Sequence, residues 1–131
     1  MEGLAKTLGK KKGKSAVAEI IGVLFMSRTY THMAHLKTPS YSKHVALNEL
    51  YDGIVELADS LAEAAQGKFG KLDIPAIAVS GNVNDPVGVI EEHIALLEKL
   101  GKGCDEPFLD NIFQEIQAMY YSKLYKLRDL S

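Results

Sequence analysis

Apolar residues recur at helical spacing along four stretches of this chain, and proline or glycine marks the breaks between them. The first stretch predicts a helix from an N-cap at Ser15 to Lys37. Pro39 disfavours a helical Thr38, and Thr38 with Pro39 also suits an N-cap and first turn, so a second helix is expected from Pro39 to Gln66, stopped by Gly67. At 100° per residue, Leu47, Leu50, Ile54, Leu57, Ala58, Leu61 and Ala65 share one face of that helix, which is therefore core. Gly67, Gly70 and Gly81 then bracket the apolar run from Ile74 to Val79, where Pro75 favours an extended crossover over a helix. Asp85-Pro86 opens a third helix ending near Gly101, with Val89, Ile90, Ile94, Leu97 and Leu100 apolar. Asp105, Glu106 and Pro107 open a fourth, with Phe108, Leu109, Ile112, Phe113, Ile116, Met119, Tyr120, Leu124 and Leu127 apolar. The pattern is all-α, with a long connection between the second and third helices.

A length of 131 residues suits one domain with a modest core. A lone Cys104 excludes an intrachain disulfide framework and agrees with a reducing cytoplasm. The apolar run from Ala16 to Met26 is interrupted by Glu19 and is too short to span a bilayer. Net charge is -2, but residues 1 to 14 carry Lys6, Lys10, Lys11, Lys12 and Lys14 against Glu2, a net +4 that leaves -6 on the other 117 residues. Gly3, Gly9 and Gly13 argue against a stable helix there, so a flexible basic tail is expected on an acidic body from residue 15 to 131. Such a tail can contact phosphates without reading bases, or serve only as a solubiliser.

Candidate chemistry lies beside the apolar stripe of the first two helices. His32 and His44 each stand six residues from Thr38, roughly 9 Å from the corner at 1.5 Å per residue, so an antiparallel hairpin sets them level. On the second helix His44, Asn48, Asp59 and Glu63 fall on one shoulder, with Asp59 and Glu63 one turn apart. His44 and Asp59 are nevertheless about 22 Å apart along the helix, whereas ligands of one metal each lie about 2 Å from it. One chain cannot close such a site. A two-fold partner laying its second helix antiparallel would bring its Asp59 and Glu63 to His32 and His44. The mixed nitrogen and oxygen set suits Fe(II) and accepts Zn(II). His35 and His93 sit on apolar faces and read as core histidines. None of the four histidines follows a Glu by three residues, which argues against an intrachain di-iron site, and no Gly-rich phosphate loop, Cys-x-x-Cys or Gly-x-Ser-x-Gly elbow is present.

The spacing of His32, His44, Asp59 and Glu63, with Lys37-Thr38-Pro39-Ser40-Tyr41 between the histidines, resembles the Dps group of mini-ferritins over roughly residues 15 to 66. The resemblance implies a ferritin-like four-helix bundle, iron bound at those four positions, ferroxidase activity, a two-fold dimer within a shell of twelve, and DNA association through a lysine-rich N-terminal tail. Two positions depart from that group: Met33 replaces its usual Trp, and Asn48 replaces an Asp, removing a carboxylate from the second iron. The stretches KHVALNELYDGIVELAD and DNIFQEIQAMYYSKLYKL also resemble small bacteriophage proteins. That likeness implies a bacterial or phage-infected cytoplasm, or a virion. It also carries a rival expectation, an interaction protein that keeps the bundle without oxidising iron.

Overall fold

The proline at 39 forces an extended residue before it, and the chain turns there. In the computed structural model, which describes Gly9 and residues 11–130, the helices are α1 (Lys14–Lys37), α2 (Tyr41–Phe69), α3 (Pro86–Gly101) and α4 (Pro107–Asp129), with no strand among the described residues. Thr38 closes α1 rather than opening α2: its N–H donates to the Ala34 carbonyl at 3.0 Å while its ψ of 136° is extended. Ser40 takes the N-cap of α2 instead, its hydroxyl accepting from the Lys43 N–H at 3.3 Å.

Two other boundaries differ from the expected ones. Ser15 lies inside α1, whose N-cap is Gly13; the Gly13 N–H donates to the Gly103 carbonyl at 3.0 Å, so a contact with the α3–α4 loop replaces a side-chain cap. Gly67 lies within α2, which continues to Phe69 because Phe69 still packs against the core. Gly70 is the true stop, at φ 86°, a left-handed backbone that favours glycine. The expected starts of the last two helices hold, with Asp85 capping Gly88 N–H at 3.2 Å and Pro107 in the first turn of α4.

The contacts fix the directions of the helices. Gly13 meets Gly103 at one end of α1, and the Tyr30 hydroxyl donates to the Asn82 carbonyl at the other, so α1 and α3 are antiparallel. Glu49 meets Lys126 and Lys68 meets Glu106, so α2 and α4 are antiparallel as well. The packed pairs are α1 with α2, α1 with α3, α2 with α4, and α3 with α4. It follows that α2 and α3 run in the same direction, and residues 70–85 return along the bundle without helix or strand.

One continuous core joins the four helices, including Leu24, Leu47, Leu50, Ile54, Leu61, Ile90, Leu97 and Ile116. The expected core faces are buried, except that Leu57, Ile112 and Met119 are half-buried and Phe108 is 44% exposed. The crossover docks through Ile77, which is buried, and through Gly22, where a Cβ would collide with the Pro75 carbonyl oxygen. Gly22 is therefore a helix glycine kept for close approach of backbone to backbone.

Gly22→Ala is expected to destabilise the fold by about 1–3 kcal/mol, because Pro75 must move off α1. Gly67→Ala, exposed, helical and with open space around its Cβ, is expected to stabilise it by about 0.5–1 kcal/mol. Urea denaturation followed by helical circular dichroism measures both.

Candidate functional site

The α1–α2 hairpin aligns its polar side chains into a ladder of rings along the seam. His32 stacks on Tyr51 with centroids 4.2 Å apart and planes 17° apart. His35 stacks on His44 at 3.6 Å and 22°, and meets the Tyr51 ring nearly edge-on at 5.3 Å. The Arg28 guanidinium carbon lies 5.8 Å from the Tyr51 centroid, one helical turn before His32. This seam is half-buried at Arg28, His32, His44, Asn48 and Tyr51, and closed over His35.

Hydrogen bonding sets the tautomers of two of these rings. The His35 Nδ1 lies 2.7 Å from the His44 carbonyl, and the His44 Nδ1 lies 2.9 Å from the His35 carbonyl. A carbonyl only accepts, so both Nδ1 atoms carry the proton and, in the neutral rings, both Nε2 atoms keep a lone pair. Because the rings are stacked nearly parallel, those lone pairs lie in planes about one ring thickness apart and do not converge on a point at metal-ligand distance.

The residues expected at a metal therefore divide into two groups. His44 stacks on His35 and His32 on Tyr51, so the hairpin sets His44 level with His35, and His32 lies on the same seam about one helical turn further from the corner. Asp59 and Glu63 are exposed on α2, about 22 Å further along at 1.5 Å per residue for Asp59. Among the described residues, no group of three or more His, Cys, Asp or Glu side chains is placed to hold a metal ion. Asn48 is engaged on both sides: its amide oxygen accepts from the Tyr51 hydroxyl at 2.6 Å, and its amide nitrogen lies 3.4 Å from the Asp52 carboxylate. Of the tail lysines, Lys6 and Lys10 lie outside the described residues, while Lys11, Lys12 and Lys14 are exposed.

Tyr51 and Arg28 are the members of the ladder that the sequence reading missed. Their signal was spacing: Tyr51 follows His44 by seven residues and Arg28 precedes His32 by four, so both share a face with a histidine. His35 and His93 are buried and hydrogen-bonded, as their apolar faces implied. Cys104 is buried, and that burial pushes its thiol up to about 11, so it holds little thiolate at neutral pH. Between α2 and α4, Lys126 donates to the Glu49 carboxylate at 3.1 Å and, with Lys123, holds it below the usual carboxylate range.

Residues 35–127 match a family described as a family of unknown function, DUF5856. The chain belongs to DUF5856. The matched stretch takes in His35, His44, Asn48, Asp59 and Glu63, and leaves His32 outside. The chain is also similar to a protein of Enterobacteria phage T4, the uncharacterized 14.6 kDa protein in the mobD-ri intergenic region, with 26% identity over 119 residues, 89% of this chain and 92% of the phage protein. That similarity accords with the expected likeness to bacteriophage proteins. No solved structure matches the chain. Among the described residues, no helix is long and apolar enough to cross a membrane.

The reciprocal His35 and His44 pair should behave as one unit. His35→Ala and His44→Ala are each expected to lower stability by about 1–2 kcal/mol, the sum of a lost hydrogen bond and lost ring contact. In a double-mutant cycle the two should be non-additive by about 0.5–1.5 kcal/mol, measured by chemical denaturation of the four proteins.

Proposed function

We propose that this chain is a Dps-like mini-ferritin: a ferritin-like bundle that pairs through its α1–α2 hairpin about a two-fold axis and binds iron, as the substrate of oxidation, between subunits. The observation that carries this reading is the tautomer of His44. Its Nδ1–H is committed to the His35 carbonyl and its Nε2 lone pair is left over, which is how histidines that hold metals are usually oriented. His32 and His44 from one chain, with Asp59 and Glu63 from its partner, make a donor set suited to Fe(II) and tolerant of Zn(II). In that site iron supplies the redox chemistry, while these side chains hold and orient it.

Two further features support the reading. The parallel α2 and α3, joined by a crossover along the bundle, follow the ferritin-like order of helices. The outer side of α1 presents Phe25, Met33 and Leu36, at 37%, 50% and 72% exposure, a stripe at helical spacing that a second hairpin would cover. Lys6, Lys10, Lys11, Lys12 and Lys14 are assigned to non-specific DNA association by counterion release, amplified when twelve tails act together.

One observation favours a second reading, a phage interaction protein that keeps the pairing but not the oxidation. Asn48, where the Dps group carries a carboxylate, is a neutral amide held by Tyr51 and Asp52. It offers a second iron no charge.

Native mass spectrometry with elemental analysis tests the first reading, which expects dimers or a closed shell carrying metal. A metal-free monomer at micromolar concentration would sink it. His44→Ala and Asp59→Ala should each lose metal, and refolded mixtures should regain part of it, since one site of a mixed dimer has every ligand; an intrachain site would regain none. Aerobic Fe(II) oxidation separates the two readings: a ferroxidase beats the protein-free blank as wild type, whereas the interaction protein gains turnover only in Asn48→Asp. Deleting residues 1 to 14 should abolish salt-sensitive DNA retention, read by mobility shift across a salt series.

A further inference from the structure

Arg28 is the permanent cation of the hairpin seam, and its own chain gives it no anion. Its Nε is closed off from solvent and meets no hydrogen-bond acceptor. Among the described residues, the ion pairs are Lys68 with Glu106, Lys123 and Lys126 with Glu49, and Arg128 with Asp129, and none includes Arg28. What the guanidinium does meet is the Tyr51 ring, 5.8 Å from its carbon. A planar fork of five donors, half-buried and without a carboxylate, leaves most of its bonding capacity unused.

The outer shoulder of α2 has the opposite problem. Asp52, Glu56, Asp59 and Glu63 are exposed along it, three or four residues apart and so on one side of the helix, and none of them is in an ion pair among the described residues. Asp52 is held in place as well as exposed: the Asn48 amide nitrogen lies 3.4 Å from its carboxylate, and the Asn48 oxygen accepts from the Tyr51 hydroxyl at 2.6 Å. A carboxylate at position 48 would stand one turn from Asp52 and repel it. The amide orients it instead.

Register decides whether these charges can meet. Within one chain, His35 stacks on His44 and Arg28 lies over Tyr51, so Arg28 and Asp52 stand within about 1.5 Å of the same height on the hairpin. They form no ion pair there, with Arg28 half-buried in the seam and Asp52 exposed outside it. The two-fold pairing proposed above, on which this inference rests, brings the partner's Asp59 and Glu63 to His44. Its axis then passes halfway between position 44 and positions 59 to 63, beside Asp52 and Gly53. At an axis each residue faces its own copy, so Asp52 is set toward the partner's Asp52 and Arg28 toward the partner's Arg28. Crossing the pairs removes both conflicts.

We propose that Arg28 and Asp52 lock the two-fold pairing: Arg28 of each subunit binds the carboxylate of the partner's Asp52, giving two equivalent ion pairs across the axis. The anion that Arg28 lacks is a second copy of this chain. Covered by that copy, the contacts lose water and count for more than pairs on an open surface.

Charge reversal in the full chain tests the lock, with pairing read by sedimentation velocity and native mass spectrometry, and folding by circular dichroism. Arg28→Glu sets two carboxylates together at both contacts, and Asp52→Arg sets two guanidinium groups together, so each alone should weaken pairing by about a hundredfold or more with helix content unchanged. Mixed one to one, the two variants should pair with each other and not with themselves, because the mixed dimer has one native contact and one of reversed sense, both attractive. An ion pair within one chain would gain nothing from mixing. Pairing undisturbed by either reversal, or weakened by both without rescue in the mixture, overturns the proposal. Should Arg28→Glu fail to fold, Arg28→Lys decides: carbodiimide should couple position 28 of one chain to Asp52 of another, identified by peptide mass in the dimer band, and a dimer without that link refutes the lock. The mini-ferritin reading fails separately. A wild-type dimer that obeys the reversals but holds no metal removes that reading and leaves the lock; a metal-loaded dimer indifferent to them removes the lock alone; a wild-type monomer at micromolar concentration removes both.

Discussion

The constraint on which the rest depends is directional. Each helix packs antiparallel to both neighbours, so α2 and α3 must run the same way, and the chain has to return along the outside of the bundle through residues 70–85. That return exposes a length of backbone with no ladder to satisfy it, and the bundle supplies substitutes one by one: Gln66 accepts from Leu72 N–H, His93 donates to Ser80, and Tyr30 donates to Asn82. Gly22 on α1 is part of the same solution, since any side chain there would hold the strap off. Tyr30 and His93, polar groups of this core, are thus consequences of the topology rather than exceptions to its packing.

The hairpin shows the same economy in another form. His35 and His44 tie the two helices together through each other's carbonyls, in effect a pair of side-chain staples across the seam. The staples leave two Nε2 atoms with lone pairs that one chain cannot aim at a common point. A feature that stabilises the monomer thus sets the condition under which the hairpin can bind anything else, namely that other donors arrive from outside.

Most of the fold was legible because apolar spacing survives without knowledge of the partner: the stripe from Leu47 to Ala65 is core whatever covers it. Boundaries were less so. Gly67 and Gly70 are equally good stops by composition, and the choice fell to Phe69, whose burial only the assembled bundle decides. Ser15 has the composition of a cap, but Gly103, in a loop far along the chain, provides the acceptor for Gly13. Of the candidate site, counting residues to the corner put His32 and His44 on the hairpin seam but not their partners, since His44 stacks on His35 and His32 on Tyr51; the spacing of Tyr51 and Arg28 gives their face but not what they stack on. Buried hydrogen bonds from Tyr120 to Ser27 and from Ser27 to His93 join three helices across 93 residues of sequence, a separation no local pattern encodes.

The tie between Gly13 and Gly103 places the start of α1 at the pole of the bundle opposite the Thr38 corner, about 36 Å away for a helix of 24 residues. Lys11, Lys12 and Lys14 therefore leave the body at the far pole from the seam histidines. In a pair of antiparallel hairpins related by a two-fold axis, these basic starts would point away from each other. In such a pair the two lysine clusters would lie at separate ends rather than face each other across one cleft.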